Sequence, residues 1–85
     1  MGENRTTPRR RVFKSGWIAF DGGTIDCAVR NLSVKGAALD VVDPLLIPDR
    51  FNLVVPTDHL NKPCHVIWRY ERRIGVAFDI APRLI

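Results

Sequence analysis

The sequence predicts an all-β fold, a small six-stranded antiparallel β-barrel led by a flexible basic N-terminal arm. Three observations carry the prediction. Apolar and polar residues alternate with a period of two in several short segments, the mark of half-buried strands. Turn residues separate these segments at close intervals, and six glycines with six prolines in 85 residues suit a turn-rich β fold better than a helical bundle. No segment of useful length has the 3.6-residue apolar period of an amphipathic helix. Closing the sheet into a barrel would also remove the edges that a flat sheet of this size leaves open to aggregation.

The first strand is predicted over Lys14 to Phe20, ending in Trp17-Ile18-Ala19-Phe20. Asp21-Gly22-Gly23 then supplies a hairpin turn, because glycine adopts positive φ at no steric cost. Thr24 to Ser33 follows, with Ile25, Cys27 and Val29 on one face and Asp26, Ala28 and Arg30 on the other. Gly36 breaks the chain, and Ala37 to Val42 forms the third strand. Pro44 and Pro48 make Asp43 to Asp49 a loop, with Leu45, Leu46 and Ile47 expected to tuck against the core. Arg50 to Val55 presents Phe51, Leu53 and Val55 to one side and stops at Pro56. Thr57 to Pro63 is polar and reads as a loop. Cys64 to Tyr70 alternates again, which assigns Cys64, Val66, Trp68 and Tyr70 to one apolar face. Glu71-Arg72 turns the chain into the last strand, Arg73 to Asp79, where Ile74, Val76 and Phe78 share one face with Ile80 just beyond. The organisation is therefore an arm over 1–13, a barrel over 14–80 and a tail over 81–85.

Composition narrows the class. Hydrophobic residues are 46% and charged residues 26% of the chain, the balance of a globular domain and not of a disordered one. No apolar run approaches the roughly 18 residues that span a bilayer. The segment Met1-Gly2-Glu3-Asn4-Arg5 lacks the apolar stretch of a signal peptide, so a cytoplasmic protein without membrane insertion is expected. In that reducing setting Cys27 and Cys64, outside any CxxC pattern, read as core thiols. The net charge of +4 resides entirely in the first 14 residues, where Arg5, Arg9, Arg10, Arg11 and Lys14 face only Glu3. The remaining 71 residues hold eight basic and eight acidic groups. Such an arm is either a solvated tail or a grip for an anion: a phosphate ligand, a nucleic acid or an acidic lipid.

Catalytic and metal-ligating sets are lacking. His59 and His65 have no Cys or carboxylate at ligand spacing, and Ser15 and Ser33 have no neighbouring His. Gly22-Gly23 is followed by a strand, so it lacks the helix N-terminus that a phosphate-cradling glycine loop uses. The chain is expected to be neither an enzyme nor a metal or cofactor protein. Two other segments stand out: Arg5-Thr6-Thr7-Pro8-Arg9, and Asn31-Leu32-Ser33-Val34-Lys35-Gly36 at a strand end. Asn31 and Ser33 alternate onto one face, and Gly36 permits a turn that a Cβ would strain. Their polar groups either serve a ligand or simply hydrogen-bond the local turn.

Together these segments resemble the PilZ domain, the bacterial receptor module for cyclic di-GMP, whose marks are RxxxR in an N-terminal arm and [D/N]xSxxG after the second strand. Arg73-Ile74-Gly75-Val76-Ala77-Phe78 is similar to that family's last barrel strand, and the likeness covers roughly residues 5–80. The resemblance implies that Arg5, Arg9, Asn31, Ser33 and Gly36 contact cyclic di-GMP, with Arg10 as an auxiliary contact. Registering the motif at Arg10 would put Lys14 in the second place, so Arg5 and Arg9 are taken as the pair. Asn31 stands where the family more often has Asp, trading an anionic acceptor for an amide that donates and accepts. The implied mechanism is an arm that orders on ligand and alters a surface read by a regulated protein partner; the chain is expected as a monomer or weak homodimer. The rivals are a PilZ-like interaction module that binds no nucleotide, and a small basic barrel that binds nucleic acid. Against the last, the neutral body offers little counterion release, and Trp68 and Tyr70 share the phase of Val66 and so belong to the core.

Overall fold

Six antiparallel strands close on one another in the computed structural model, which describes residues 10–79. The strands are β1 (Arg10–Phe20), β2 (Gly23–Leu32), β3 (Gly36–Asp40), β4 (Arg50–Val55), β5 (Leu60–Tyr70) and β6 (Arg73–Phe78). Around the barrel they run β1-β2-β3-β6-β5-β4, and β4 pairs back onto β1 through Trp17↔Val54, Ile18↔Leu53 and Ala19↔Asn52. No α-helix occurs among the described residues. The expected six-stranded barrel is thus the observed one. Alternation explains the interior: Ile18, Cys27, Val29, Leu39, Phe51, Leu53, Val55, Cys64, Ile74 and Val76 all point inward and are buried. Cys27 and Cys64 are both free, and burial pushes each thiol up to about 12, with Asp26 adding to the effect at Cys27.

The hairpin turns follow their residues. Asp21 and Gly22 both take positive φ, 48° and 78°, as a two-residue turn matched to strand twist requires. Strand ends shift by one residue at β2 and β6, β3 runs Gly36–Asp40 and stops two residues short of Val42, and the largest departures are at β1 and β5. β1 begins at Arg10, four residues before Lys14, because its ladder with β2 runs out to Arg10↔Leu32. β5 begins at Leu60 rather than Cys64, since Leu60 to Pro63 pair with Val55 to Asn52 of β4. Pro63 is tolerated there because β6 joins the other edge of β5 only from Cys64↔Phe78.

Leu45 and Leu46 are not tucked in. They are 85% and 67% exposed, and only Ile47 is buried. Pro44–Leu46 forms a 3-10 turn capped by Asp43, whose carboxylate accepts from the Leu45 amide at 3.0 Å. The Arg69 guanidinium holds the carbonyls of Pro44 and Ile47 and the carboxylate of Asp49, pinning this backbone to β5 with the two leucines outward. Trp68 and Tyr70 are the larger correction. The β5–β6 register runs Val66↔Val76 and then Trp68↔Gly75, so Ile67 is an extra residue. A one-residue bulge reverses the phase of everything beyond it. Trp68 and Tyr70 therefore stand on the outer wall, 44% and 69% exposed.

Candidate functional site

A second bulge makes Asn31 available. Strict alternation from Cys27 and Val29 would send Asn31 into the core. In the β2–β3 ladder, however, Val29 pairs with Leu39 and Asn31 pairs with Ala38, leaving Arg30 as the extra residue and placing Asn31 outside. The two bulges act together. Across the barrel wall the register continues Asn31↔Ala38, Ala38↔Gly75 and Gly75↔Trp68, one row over four strands. At strand spacings of about 4.8 Å that row is roughly 14 Å wide.

The residues between its ends are small. Gly36, Ala38, Gly75 and Ala77 form the floor of a trough of about 370 Å³. Asn31 flanks one side, Trp68 and Ile67 the other, with Ser33 and Lys35 of the β2–β3 turn and Arg73 also lining it. The indole of Trp68 lies across Gly75, where a Cβ would meet its ring 2.2 Å away. Gly36 opens β3 without a positive φ, so the turn expected from the sequence is not what demands glycine there; the sheet does, because a Cβ would come within 2.1 Å of the Val76 carbonyl of β6. Ser33 is engaged locally. Its hydroxyl accepts from the amides of Lys35 at 3.1 Å and Gly36 at 3.3 Å, while its own amide donates to the Gly36 carbonyl at 2.9 Å. Ser33 and Gly36 thus set the shape of the turn at the trough wall.

Charge is gathered at the trough although the body as a whole is neutral. Its lining residues include Lys35 and Arg73 and no carboxylate. Arg73 is held from behind by Asp40 of β3, which accepts from its Nε at 2.6 Å and its Nη2 at 3.3 Å. Arg30 donates to the same carboxylate at 3.1 Å and stands over the Phe13 ring at 5.1 Å. The Arg73 hydrogen bond, with Arg30 adding to it against an opposing push from burial, holds the Asp40 carboxyl below the usual carboxylate range.

Of the residues expected at the site, Asn31, Ser33 and Gly36 come together here. Arg5 and Arg9 lie outside the described residues. Arg10 opens β1, but its side chain also lies outside what is described. β1 starts beside the trough, with Arg10 paired to Leu32 and Arg11 to Asn31. Sequence reasoning missed Trp68, Arg73 and the small-residue floor. The signal for the floor was present in Gly36-Ala37-Ala38 and Gly75-Val76-Ala77, but the side on which it lies depends on the bulges. Trp17, 41% exposed, is on β1, which does not adjoin β5, so the exposed aromatics make no continuous stacking row. Among the described residues no helix is long and apolar enough to cross a membrane. Compared with known protein families, the chain matches the PilZ domain model over residues 3–84.

Proposed function

This chain belongs to the PilZ family, and from that premise we propose that it is a receptor for cyclic di-GMP which, once loaded, presents an altered surface to a partner protein. The observation that carries the reading is the trough: a glycine and alanine floor bounded by an amide, an indole and two cations, free of carboxylates. A planar guanine needs a flat bed and an aromatic neighbour, and its phosphodiesters need guanidinium. Asn31 serves a base edge or a phosphate oxygen, and Ser33 with Gly36 fixes the turn beside it. Arg5 and Arg9 clamp the phosphodiesters, with Arg10 assisting. The chain length allows this, since five residues upstream of Arg10 span at most about 18 Å and β1 starts with Arg10 opposite Leu32 and Arg11 opposite Asn31.

On this reading the protein is a cytoplasmic binding domain and not an enzyme, it takes no metal or other cofactor, and it acts as a monomer or weak homodimer. Ordering of the arm on the ligand is the signal. Calorimetry with cyclic di-GMP on the wild type and on Arg9→Ala tests the proposal. Micromolar or tighter binding, weakened roughly tenfold to a hundredfold in the variant, is expected from one charge-assisted contact. The engagement of the Ser33 hydroxyl within its own turn favours one other reading, an interaction module that ignores the nucleotide. Absence of heat from either protein selects that module. Binding of a generic oligonucleotide that falls steeply with salt selects the nucleic-acid barrel.

A further inference from the structure

We infer that Arg73 selects guanine in the trough and that Asp40 is the residue that aims it. The inference rests on the reading of the trough as a cyclic di-GMP site. Arg73 and Gly75 are two apart on β6 and so project from the same face, and Gly75 is the residue over which the Trp68 indole lies. A base bedded beside Trp68 on the small-residue floor then meets the Arg73 guanidinium at its edge and not across its face.

The way Arg73 is held decides what it can offer. Asp40 takes the Nε–Nη2 side of the fork, and among the described residues it is the acceptor that Arg73 engages. The Nη1–Nη2 end is left to meet a ligand in the trough that Arg73 lines. That end presents two parallel N–H groups, the geometry that matches the O6 and N7 acceptors of guanine. Adenine has an amino donor in place of O6, which faces the same N–H groups with a donor. Arg30 shares the Asp40 carboxylate and is anchored over Phe13, so Asp40 is itself fixed from the β2 side. Asp40 is a positioning residue in this scheme, and Arg73 is the contact.

Matched calorimetric titrations with cyclic di-GMP and cyclic di-AMP test the inference, because the two ligands share phosphates and ring size and differ at the base edge. The wild type should prefer the guanine ligand, and Arg73→Ala should lose roughly tenfold to a hundredfold of that preference. Arg73→Lys keeps the charge and the strand but lacks the fork, so it should lose most of the preference while retaining affinity for both ligands. Asp40→Asn raises the positive charge near the trough, which by charge alone would tighten both complexes. Loss of guanine preference in Asp40→Asn, with cyclic di-AMP affinity kept or increased, supports aiming by Asp40. Equal weakening of both ligands in Arg73→Ala and Arg73→Lys, or an unchanged preference, overturns the inference while leaving the receptor reading intact. Failure of the wild type to bind either ligand overturns both.

Discussion

Gly75→Ala isolates the floor of the trough from the motif residues around it. The added Cβ would stand 2.2 Å from Cε2 and Nε1 of Trp68 and 2.7 Å from its Cζ2, whereas ordinary contact begins near 3.4 Å. The indole must therefore retreat by more than 1 Å, and it can, because the obstructing atoms belong to a side chain on the outer wall. A Trp side chain presents about 200 Å², and at 44% exposure about half of that is covered. At about 25 cal/mol per Å², complete uncovering would cost about 2.5 kcal/mol, so a partial lift should cost about 1 kcal/mol. In a domain of this size that lowers Tm by about 4–8 °C. The larger effect should be on ligand: loss of one base stack, about 1–3 kcal/mol, weakens cyclic di-GMP binding by roughly fivefold to a hundredfold or more. The assay is calorimetry alongside Trp emission in a Trp17→Phe background, where the Gly75→Ala emission should shift to the red as the indole enters water. Wild-type affinity together with unshifted emission would refute the claim that Trp68 lies on Gly75 and walls the site.

Gly36→Ala should behave differently, because its added Cβ meets the Val76 carbonyl, a backbone atom that moves only if β3 and β6 part. A destabilisation of about 1–3 kcal/mol or more, larger than that of Gly75→Ala, is expected as a drop in the urea midpoint. The depressed Asp40 carboxyl gives a signed pH dependence: its folded value lies below its unfolded one, so its contribution is complete above about pH 5 and is lost as pH falls below about 4. The urea midpoint followed from pH 7 to pH 3 should fall less steeply in Asp40→Asn than in the wild type. Cys27 and Cys64, buried with thiols pushed up to about 12, should resist a thiol reagent at pH 8 in the native protein and react once it is unfolded in urea.

What the chain alone determined is the part of the structure that follows from local rules. Period-two alternation locates the strands and fixes the apolar side of their unbulged stretches, and Asp21-Gly22 and Glu71-Arg72 fix two of the hairpins. Asn31-Leu32-Ser33-Val34-Lys35-Gly36 was legible as a motif because its spacing is contiguous in sequence. The composition of the trough was not legible, because it depends on register between strands distant in the chain. Arg30 and Ile67 each add one residue to a ladder, and each addition turns the following side chains to the opposite face. Nothing in the alternation of Cys64 to Tyr70 distinguishes a continuous strand from a bulged one, so Trp68 was placed inside when the partner strand puts it outside. The charge distribution was hidden for the same reason: eight basic and eight acidic groups cancel in the sum, and only closure of the barrel brings Lys35 and Arg73 to one cleft and sets Asp40 behind Arg73. Alternation is a property of one strand, whereas a binding surface is a property of pairings, and those are decided when the sheet closes.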